Sequence, residues 1–298
     1  MAGIPDTFQI EAGSSIAAVL KQAPLEPLEN RILLMHALQL TRIQLITQDE
    51  RAIDAQQAQL LSALFQRRLL GEPIAYIVGQ REFYGLQFEV TPDVLIPRPE
   101  TELLVELALQ HLPAADNLNN QNTLSVLDLG TGSGAIAVAI AHSRPDLKLT
   151  ALDLSAAALA VAGRNAARHL IAGQTPVQFL QSNWYSALAD QRFDVIVANP
   201  PYIVAGDSHL TQGDLRFEPQ DALTDHADGL SALRSIIDGA GRYLKDDGWL
   251  LMEHGYDQAA AVRALLQARQ FDAVQSWQDI AAIERVSGGR YSRYEAPS

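Results

Sequence analysis

Residues 125–134 read SVLDLGTGSG, and this stretch decides the fold that we predict for the chain. Its apolar half is typical of a buried strand, and Gly130, Gly132 and Gly134 follow before a helical pattern begins at Ala135. Glycines in such a turn let the backbone bring its amides against a ligand at the positive end of the helix. The stretch therefore predicts a strand, a ligand-binding loop and a helix of an α/β domain.

The residues around this stretch alternate between strand and helix patterns. Apolar runs predict buried strands at 125–129, 148–152, 177–180, 193–198 and 249–253. Helical patterns separate most of them, at 135–142, 155–170, 230–244 and 257–269. Such alternation is typical of a doubly wound parallel sheet. Residues 273–277 and 291–296 predict two more strands with no helix between them, which favours an antiparallel hairpin at the sheet edge.

The first part of the chain has a different pattern. Apolar residues recur at spacings of three and four, which predicts helices with one buried face. The residues predicted to form these faces are Leu25, Leu28, Ile32, Met35, Leu61, Leu64 and Phe65. Residues 74–96 then alternate with a period of two, which predicts a hairpin. We expect a helical domain at 1–73 that packs or docks a partner, a β-hairpin linker at 74–97 and a catalytic domain at 98–298.

Composition argues against several classes of function. The 298 residues are 48% apolar, without an apolar run of about 18, so we expect neither disorder nor a membrane span. The first basic residue is Lys21 and there are no cysteines, so we expect no secretory signal and a cytoplasmic location. The net charge of 22 − 35 = −13 repels phosphate backbones, and the seven histidines show no metal-binding spacing. We therefore expect no nucleic-acid, membrane or metal partner.

The glycine loop fits S-adenosylmethionine better than a dinucleotide. A dinucleotide loop has the spacing G-x-G-x-x-G, but here Gly134 comes one residue early. Asp128, just before the loop, would suit the cationic amino group of a methionine moiety. Asp153 ends the next strand 153 − 130 = 23 residues after Gly130, close to the ~20 expected of an acid that binds a ribose. A carboxylate at the amino end of the helix after Ser155 is the alternative for Asp153.

Other residues complete the predicted cofactor site. Trp184 follows the third predicted strand, where its indole would contact an adenine, although an ordinary core tryptophan is equally compatible with the sequence. The expected cofactor contacts are Gly130, Thr131, Gly132, Ser133, Gly134, Asp153 and Trp184. Glu253 and His254 end a later strand and are further candidates for the same crevice.

A second motif, Asn199-Pro200-Pro201-Tyr202, directly follows an apolar run. Because parallel sheets bind ligands at the carboxyl ends of their strands, this motif should face the same crevice as the glycine loop. Asn199 Oδ1 and the Pro200 carbonyl would accept the two N–H protons of a carboxamide, weaken its conjugation and aim its nitrogen at a sulfonium methyl group. Tyr202 would stack on the planar group, and positioning would supply most of the rate. The two motifs predict an N-methyltransferase, with a rigid proline turn as the alternative.

Together with a third block, these motifs resemble the release factor glutamine methyltransferases. The block runs from GEPIAYI at 71–77 through EFYGL at 82–86 to LIPRPETE at 95–102. The resemblance spans nearly the whole chain and implies a class I S-adenosylmethionine-dependent methyltransferase. Such an α/β fold has a Rossmann-like seven-stranded sheet with an antiparallel edge hairpin, preceded by a small helical-bundle domain.

The resemblance also implies a substrate and residue roles. The methyl group would go to the side-chain amide nitrogen, N5, of the glutamine in the Gly-Gly-Gln motif of bacterial class-1 peptide chain release factors, in support of translation termination. The helical domain would grip the release factor. The cofactor contacts would be Gly130 through Gly134, Asp153, Trp184 and Asn199; the glutamine would bind at Asn199, Pro200, Pro201 and Tyr202, with Asn199, Pro200 and Tyr202 catalytic. Pro97, Arg98 and Glu100 would lie near the active site, although an ion pair with Glu100 or Glu102 equally explains Arg98.

Three other functions stay open. A sister enzyme that methylates a glutamine of a ribosomal protein would share both motifs, although the block at 98–102 favours release factors. An adenine-N6 DNA methyltransferase holds a flipped base with a related loop, but the charge of −13 and the lack of a target-recognition domain argue against it. A non-catalytic cofactor-binding scaffold would leave Asn199 and Tyr202 without a purpose.

Overall fold

The computed structural model describes residues 8–113, 123–171 and 176–292. The chain divides into two compact units, one of Met1–Gln80 with Gln212–Phe217 and the other of Arg81–Thr211 with Glu218–Ser298. Each unit has a hydrophobic core of its own. In the described ranges, no helix combines the length and the apolar character that a membrane crossing requires.

The first unit is a small helical bundle, as predicted for 1–73, but the segment predicted as a hairpin linker from residue 74 begins with the helix Ile74–Val78, which belongs to this unit. The α-helices of its described residues are α1 (Ile16–Gln22), α2 (Pro27–Leu38), α3 (Arg42–Thr47), α4 (Ala55–Leu69) and α5 (Ile74–Val78). The side chains of Ser15, Thr41 and Asp54 each accept an N–H of the following turn and so begin α1, α3 and α4. These caps satisfy amides that a helix leaves unpaired at its start.

The buried face of α2 differs from the predicted one. Leu28 is exposed, whereas Leu33 and Leu34 are fully buried. The reason is that α2 packs against α3, α4 and α5, so it buries more than the single stripe that its spacing suggests. The prediction for α4 is confirmed at Leu61 and Phe65, which are fully buried.

The second unit is built on a seven-stranded sheet, which confirms the predicted fold class. A hairpin of β1 (Gln80–Phe83) and β2 (Leu86–Glu89) comes first. The sheet strands are β3 (Ser125–Leu129), β4 (Lys148–Asp153), β5 (Gln178–Gln181), β6 (Phe193–Ala198), β7 (Leu244–Glu253), β8 (Asp272–Gln278) and β9 (Glu284–Arg290). Their order is β5-β4-β3-β6-β7-β9-β8, with β9 antiparallel to both of its neighbours and all other pairs parallel.

Helices flank this sheet. The α-helices among the described residues are α6 (Glu102–Gln110), α7 (Ala135–Ser143), α8 (Ala156–His169), α9 (Gln220–Leu223), α10 (Ser231–Tyr243) and α11 (Ala259–Ala268). The hairpin joins this core, since Phe83 and Phe88 are buried with side chains of α6 and α7. Its turn is formed by Tyr84 and Gly85, which both have positive φ, as tight hairpin turns require.

The last strand does not lie where the sequence predicts it. The prediction placed it at 291–296, of which 293–296 lie outside the described residues, whereas β9 spans Glu284–Arg290. The sequence does not predict a strand here, because the segment contains Gly288 and Gly289 and glycine is depleted in strands. The sheet nevertheless needs Gly288, since a Cβ there would collide with the carbonyl of Leu250 on β7.

Candidate active site

Four parallel strands end in register at one edge of the sheet. The register aligns Leu129 of β3 with Leu152 of β4 and Ala198 of β6, and Ala198 with Met252 of β7. The residues that follow the aligned ones are Asp153 on β4, Gly130 after β3, Asn199 after β6 and Glu253 on β7, given in their order across the sheet. Because neighbouring strands lie about 4.8 Å apart, these four residues form one short row. The two predicted motifs meet in this row.

The glycine loop lies at the amino end of α7. Gly130, Gly132 and Gly134 have φ of 74°, 55° and 80°, a region that favours glycine. A Cβ on Gly134 would lie 3.0 Å from the Cβ of Ala162 on α8, whereas one on Gly132 would meet no heavy atom within 4 Å. Gly134 is therefore required for helix packing, and Gly132 borders open space.

Asp153 fixes the shape of this loop. Its Oδ2 accepts the N–H of Gly132 at 2.8 Å, and its Oδ1 accepts the N–H of Ser155 at 2.8 Å. Ser155 itself caps α8, since its hydroxyl accepts the N–H of Ala158 at 3.1 Å, and Asp153 holds this cap residue in place. Each carboxylate oxygen has a further lone pair, so the side chain retains capacity for ligand hydroxyls. Burial raises the pKa of Asp153, and the backbone N–H groups act in the opposite direction.

Asp128 lies beneath the loop and is fully buried. Its Oδ2 accepts the hydroxyl of Thr131 at 2.6 Å, while its Oδ1 has no hydrogen-bond partner among the described residues. Burial raises the pKa of Asp128 to about 7, against the lowering effect of the Thr131 hydroxyl. A buried acceptor without a partner costs on the order of 1–3 kcal/mol, so a cationic group near Oδ1 would be strongly favoured.

Trp184 borders the start of the loop. Its backbone is left-handed, with φ of 46°, and its carbonyl accepts the Ser182 hydroxyl at 2.6 Å. A Cβ on Gly130 would lie 3.8 Å from Cζ3 of the indole. The indole also packs against the core of the unit, so the structure is compatible with both roles that the sequence left open.

Side chains of segments distant along the chain hold the Asn199–Tyr202 motif in place. Asn199 is half-buried, and its Nδ2 donates to Thr101 Oγ1 at 3.2 Å. The hydroxyl of Tyr202 donates to Glu253 Oε1 at 3.2 Å, and its carbonyl accepts the amide of Gln258 at 3.0 Å. In the part of the chain that the structure describes, no donor is bound to Asn199 Oδ1. That oxygen is therefore available to a ligand.

The block at 95–102 contributes differently from what the sequence suggests. Arg98 pairs with Glu218, a fully buried side chain, and not with Glu100 or Glu102. Glu218 also accepts the N–H of Ile96 at 3.0 Å, so it anchors this segment twice. The residue of the block that touches the motif is Thr101, at the end of the short 3₁₀ helix Pro99–Thr101.

Thr101 and Gln258 are the site residues that sequence reasoning missed. Thr101 lies in the block at 95–102 but had no predicted role, Gln258 belongs to no motif, and both reach the site only through folding. Glu253 had a signal, since it is a carboxyl at the end of the otherwise apolar run at 249–253. His254, its neighbour, is buried and shares a hydrogen bond of 2.7 Å with the hydroxyl of Ser287, so it does not join Glu253 at the motif.

Comparison with known proteins assigns a family. A model described as the methyltransferase small domain matches residues 105–214, and one described as the PrmC N-terminal domain matches residues 11–79. A release factor glutamine methyltransferase of Burkholderia pseudomallei is 54% identical over 93% of this chain and 96% of its own length. Its counterpart from Neisseria gonorrhoeae is 47% identical over 91% and 95%. The chain belongs to the release factor glutamine methyltransferase family.

The chain is therefore an S-adenosylmethionine-dependent methyltransferase, which confirms that prediction. Solved structures support the fold. A methyltransferase from Pyrococcus furiosus has 17% identity and a TM-score of 0.51, over 76% of this chain and 97% of that one. Human methyltransferase 10 domain containing protein has 13% identity and a TM-score of 0.50, over 72% and 92%. At such low identity these likenesses concern the fold of the family, not the substrate.

Proposed function

We propose that this family member methylates the side-chain amide nitrogen, N5, of the glutamine in the Gly-Gly-Gln motif of class-1 peptide chain release factors. The enzyme would act in the cytoplasm and support translation termination. The observation that carries the proposal is the free Oδ1 of Asn199, one strand spacing from the glycine loop. The names of the relatives support release factors as the substrate class.

The residues around the glycine loop fit S-adenosylmethionine. When bound, it supplies a methyl group on a positively charged sulfur. We assign the unpartnered oxygen of Asp128 to its ammonium group, the lone pairs of Asp153 to its ribose hydroxyls and the indole of Trp184 to its adenine. The open side of Gly132 leaves room for the ligand against the loop. Thr131 and Ser133 are buried and shape the loop between these glycines.

Asn199 and Pro200 have the chemistry that an amide substrate needs. A carboxamide nitrogen is a weak nucleophile, because its lone pair is shared with the carbonyl. Two acceptors, Asn199 Oδ1 and the Pro200 carbonyl, would bind its N–H groups and orient the nitrogen. Proline has no N–H to compete for those acceptors and restricts the backbone. Pro201 continues the rigid turn, and Tyr202 covers the planar group. The rate would then come mainly from positioning.

Methyl transfer to defined substrates tests this proposal. The full chain is incubated with labelled S-adenosylmethionine and, separately, with release factor, ribosomes and DNA. We expect label only on the release factor, at the Gly-Gly-Gln glutamine by fragment mass spectrometry. A release factor with alanine in place of that glutamine is the control and should stay unlabelled. Label on a ribosomal protein or on DNA, with an unlabelled release factor, would overturn the proposal.

A further inference from the structure

The side-chain amide of Gln258 connects three backbone segments around the proposed substrate site. Gln258 is the residue before α11, and its Nε2 donates to the carbonyl of Tyr202 at 3.0 Å and to that of Gly229 at 3.2 Å. Its Oε1 accepts the N–H of Gly255 at 2.9 Å. The three segments follow β6, precede α10 and follow β7. One half-buried side chain therefore joins the end of the Asn199–Tyr202 motif to two other loops.

The partners of Gln258 fix the orientation of its amide. The N–H of Gly255 can only donate, so it selects the oxygen of the amide. The carbonyls of Tyr202 and Gly229 can only accept, so they select its nitrogen. An amide turned over would face Gly255 with a donor and both carbonyls with an acceptor. Gln258 therefore holds the Tyr202 carbonyl in a single arrangement, with both of its own N–H groups in use.

Two glycines make room for these hydrogen bonds. Gly229 has φ of 77°, and a Cβ there would lie 2.7 Å from the Tyr202 carbonyl oxygen and 2.8 Å from Gln258 Nε2. A Cβ on Gly255 would lie 3.1 Å from Gln258 Oε1. The distances at Gly229 are well inside van der Waals contact, so a side chain there would displace the amide or the carbonyl. The close approach of Gln258 therefore requires a glycine at 229.

The Asn199–Tyr202 motif needs such support, because its two prolines have no N–H. The turn is thus fixed through its carbonyls and through the side chains of the residues beside the prolines. Tyr202 is bound at both ends, since its hydroxyl donates to Glu253 Oε1 at 3.2 Å and its carbonyl accepts from Gln258. Both partners belong to the short segment that runs from the end of β7 to the start of α11. The position of the Tyr202 ring therefore depends on this segment.

We propose that Gln258 is a positioning residue that fixes the Tyr202 carbonyl and so sets the Tyr202 ring against the planar amide of the substrate. This inference rests on the proposed function, in which Tyr202 covers that amide. A displaced ring would leave the amide nitrogen poorly aligned with the methyl group. Misplacement by about 1 Å can lower a rate on the order of 100-fold. Gln258 therefore acts on turnover through Tyr202, without touching the substrate.

Substitutions at Gln258 and Gly229 test the proposal. Gln258→Met keeps the length of the side chain and removes its hydrogen bonds, whereas Gln258→Glu keeps the acceptor for Gly255 but turns an oxygen toward the two carbonyls. Gly229→Ala displaces the same contact by steric collision. Gly85→Ala is the matched control for backbone strain, since Gly85 has φ of 76° and a Cβ there meets no heavy atom within 4 Å. Gln267→Met, at an exposed position of α11, is the matched control for the loss of a glutamine.

The readout is methyl transfer to intact release factor, expressed per folded enzyme. The three variants should lower kcat by about 10- to 100-fold and should change the KM for release factor less than they change kcat. Their affinity for S-adenosylhomocysteine should stay within about threefold of the wild type, because the three hydrogen bonds of Gln258 lie outside the glycine loop. Both control variants should keep the wild-type kcat.

A double variant shows whether Gln258 acts through Tyr202. Tyr202→Ala removes the ring, so in this background Gln258→Met should lower kcat by less than about threefold further. Losses that multiply in the double variant would mean that the two residues act independently, and they would overturn the inference.

A purely structural role for Gln258 predicts a different outcome. It would lower the stability toward urea and leave kcat per folded enzyme within about threefold of the wild type. Gln258→Glu retains the hydrogen bond to Gly255, so it decides between the two roles if Gln258→Met does not fold. A wild type that methylates release factor, with variants at Gln258 that keep its kcat, overturns this inference alone. A wild type that does not methylate release factor overturns the proposed function and this inference with it.

Discussion

Gly132 and Gly134 lie two residues apart in the glycine loop, yet an added methyl group should have different consequences at each. Both have positive φ, 55° and 80°, so alanine at either position should cost roughly 1–2 kcal/mol of stability. At Gly134 the new Cβ would also lie 3.0 Å from the Cβ and 3.2 Å from the Cα of Ala162. Overpacking of this kind costs another ~1–3 kcal/mol. We therefore expect Gly134→Ala to lose about 2–5 kcal/mol and Gly132→Ala only about 1–2 kcal/mol.

Cofactor binding should show the opposite ranking. A Cβ on Gly132 enters space with no protein atom within 4 Å, which is where we place S-adenosylmethionine. Gly132→Ala should therefore weaken the binding of S-adenosylhomocysteine at least about tenfold, or ~1.4 kcal/mol. Gly134 faces α8, so the effect of Gly134→Ala should be mainly on stability and smaller on affinity.

Two measurements separate these effects. Urea unfolding followed by tryptophan fluorescence reports on the second unit, because Trp184, Trp249 and Trp277 all belong to it. Titration calorimetry with S-adenosylhomocysteine gives the affinity. The control is Gly163→Ala inside α8, where a Cβ meets nothing within 4 Å, and it should stabilise the unit by about 0.5–1 kcal/mol without changing affinity. Binding by Gly132→Ala within about twofold of the wild type would refute the proposed cofactor position.

Three further outcomes are expected. Asn199→Ala should abolish most methyl transfer to release factor while the affinity for S-adenosylhomocysteine stays within about threefold, and wild-type turnover in this variant would contradict the proposed substrate contact. Burial raises the pKa of Asp128 to about 7, and only its carboxylate attracts an ammonium group, so cofactor affinity should rise as the pH increases through this value. Titration calorimetry across this pH range should show weak, pH-independent cofactor binding for Asp128→Asn. A wild-type affinity that does not change with pH would count against the contact between Asp128 and the ammonium group. Ile43 and Ile46 of α3 are 73% and 66% exposed, and lysine at both positions should raise the KM for intact release factor without changing cofactor affinity. Ile280→Lys in the second unit should change neither quantity. An unchanged KM in the α3 variant would argue against docking of the release factor on α3.

Local sequence located the strands of the parallel part of the sheet, although β7 begins at Leu244, five residues before the predicted 249. The apolar runs at 125–129 and 193–198 coincide with β3 and β6 to the residue. A strand buried on both faces is apolar throughout, and the polar loop that follows marks its end, so both boundaries are visible in the chain itself. The placement of the two motifs at one sheet edge follows from the same pattern, because parallel strands present their carboxyl ends together.

The position of β9 and the buried face of α2 were less predictable from the sequence. The position of β9 depends on close approach to β7 at Gly288, which only the paired strand makes necessary. The burial of Leu33 and Leu34 depends on the number of helices that surround α2. In both cases the deciding contact belongs to a neighbouring element, so the local spacing of residues contains no record of it.

The sequence by itself determined the chemical groups at the site and the edge of the sheet on which they lie. The tertiary structure alone decided how those groups are held. Thr101 is hydrogen-bonded to Asn199 across 98 positions of the chain, Glu253 to Tyr202 across 51, and Arg98 to Glu218 across 120. Such pairs follow from strand order, which sets β6 beside β7, and from the path of the segment before α6. Periodicity reports which face of an element is buried, whereas the direction of a hydrogen bond depends on the partner that folding brings to it.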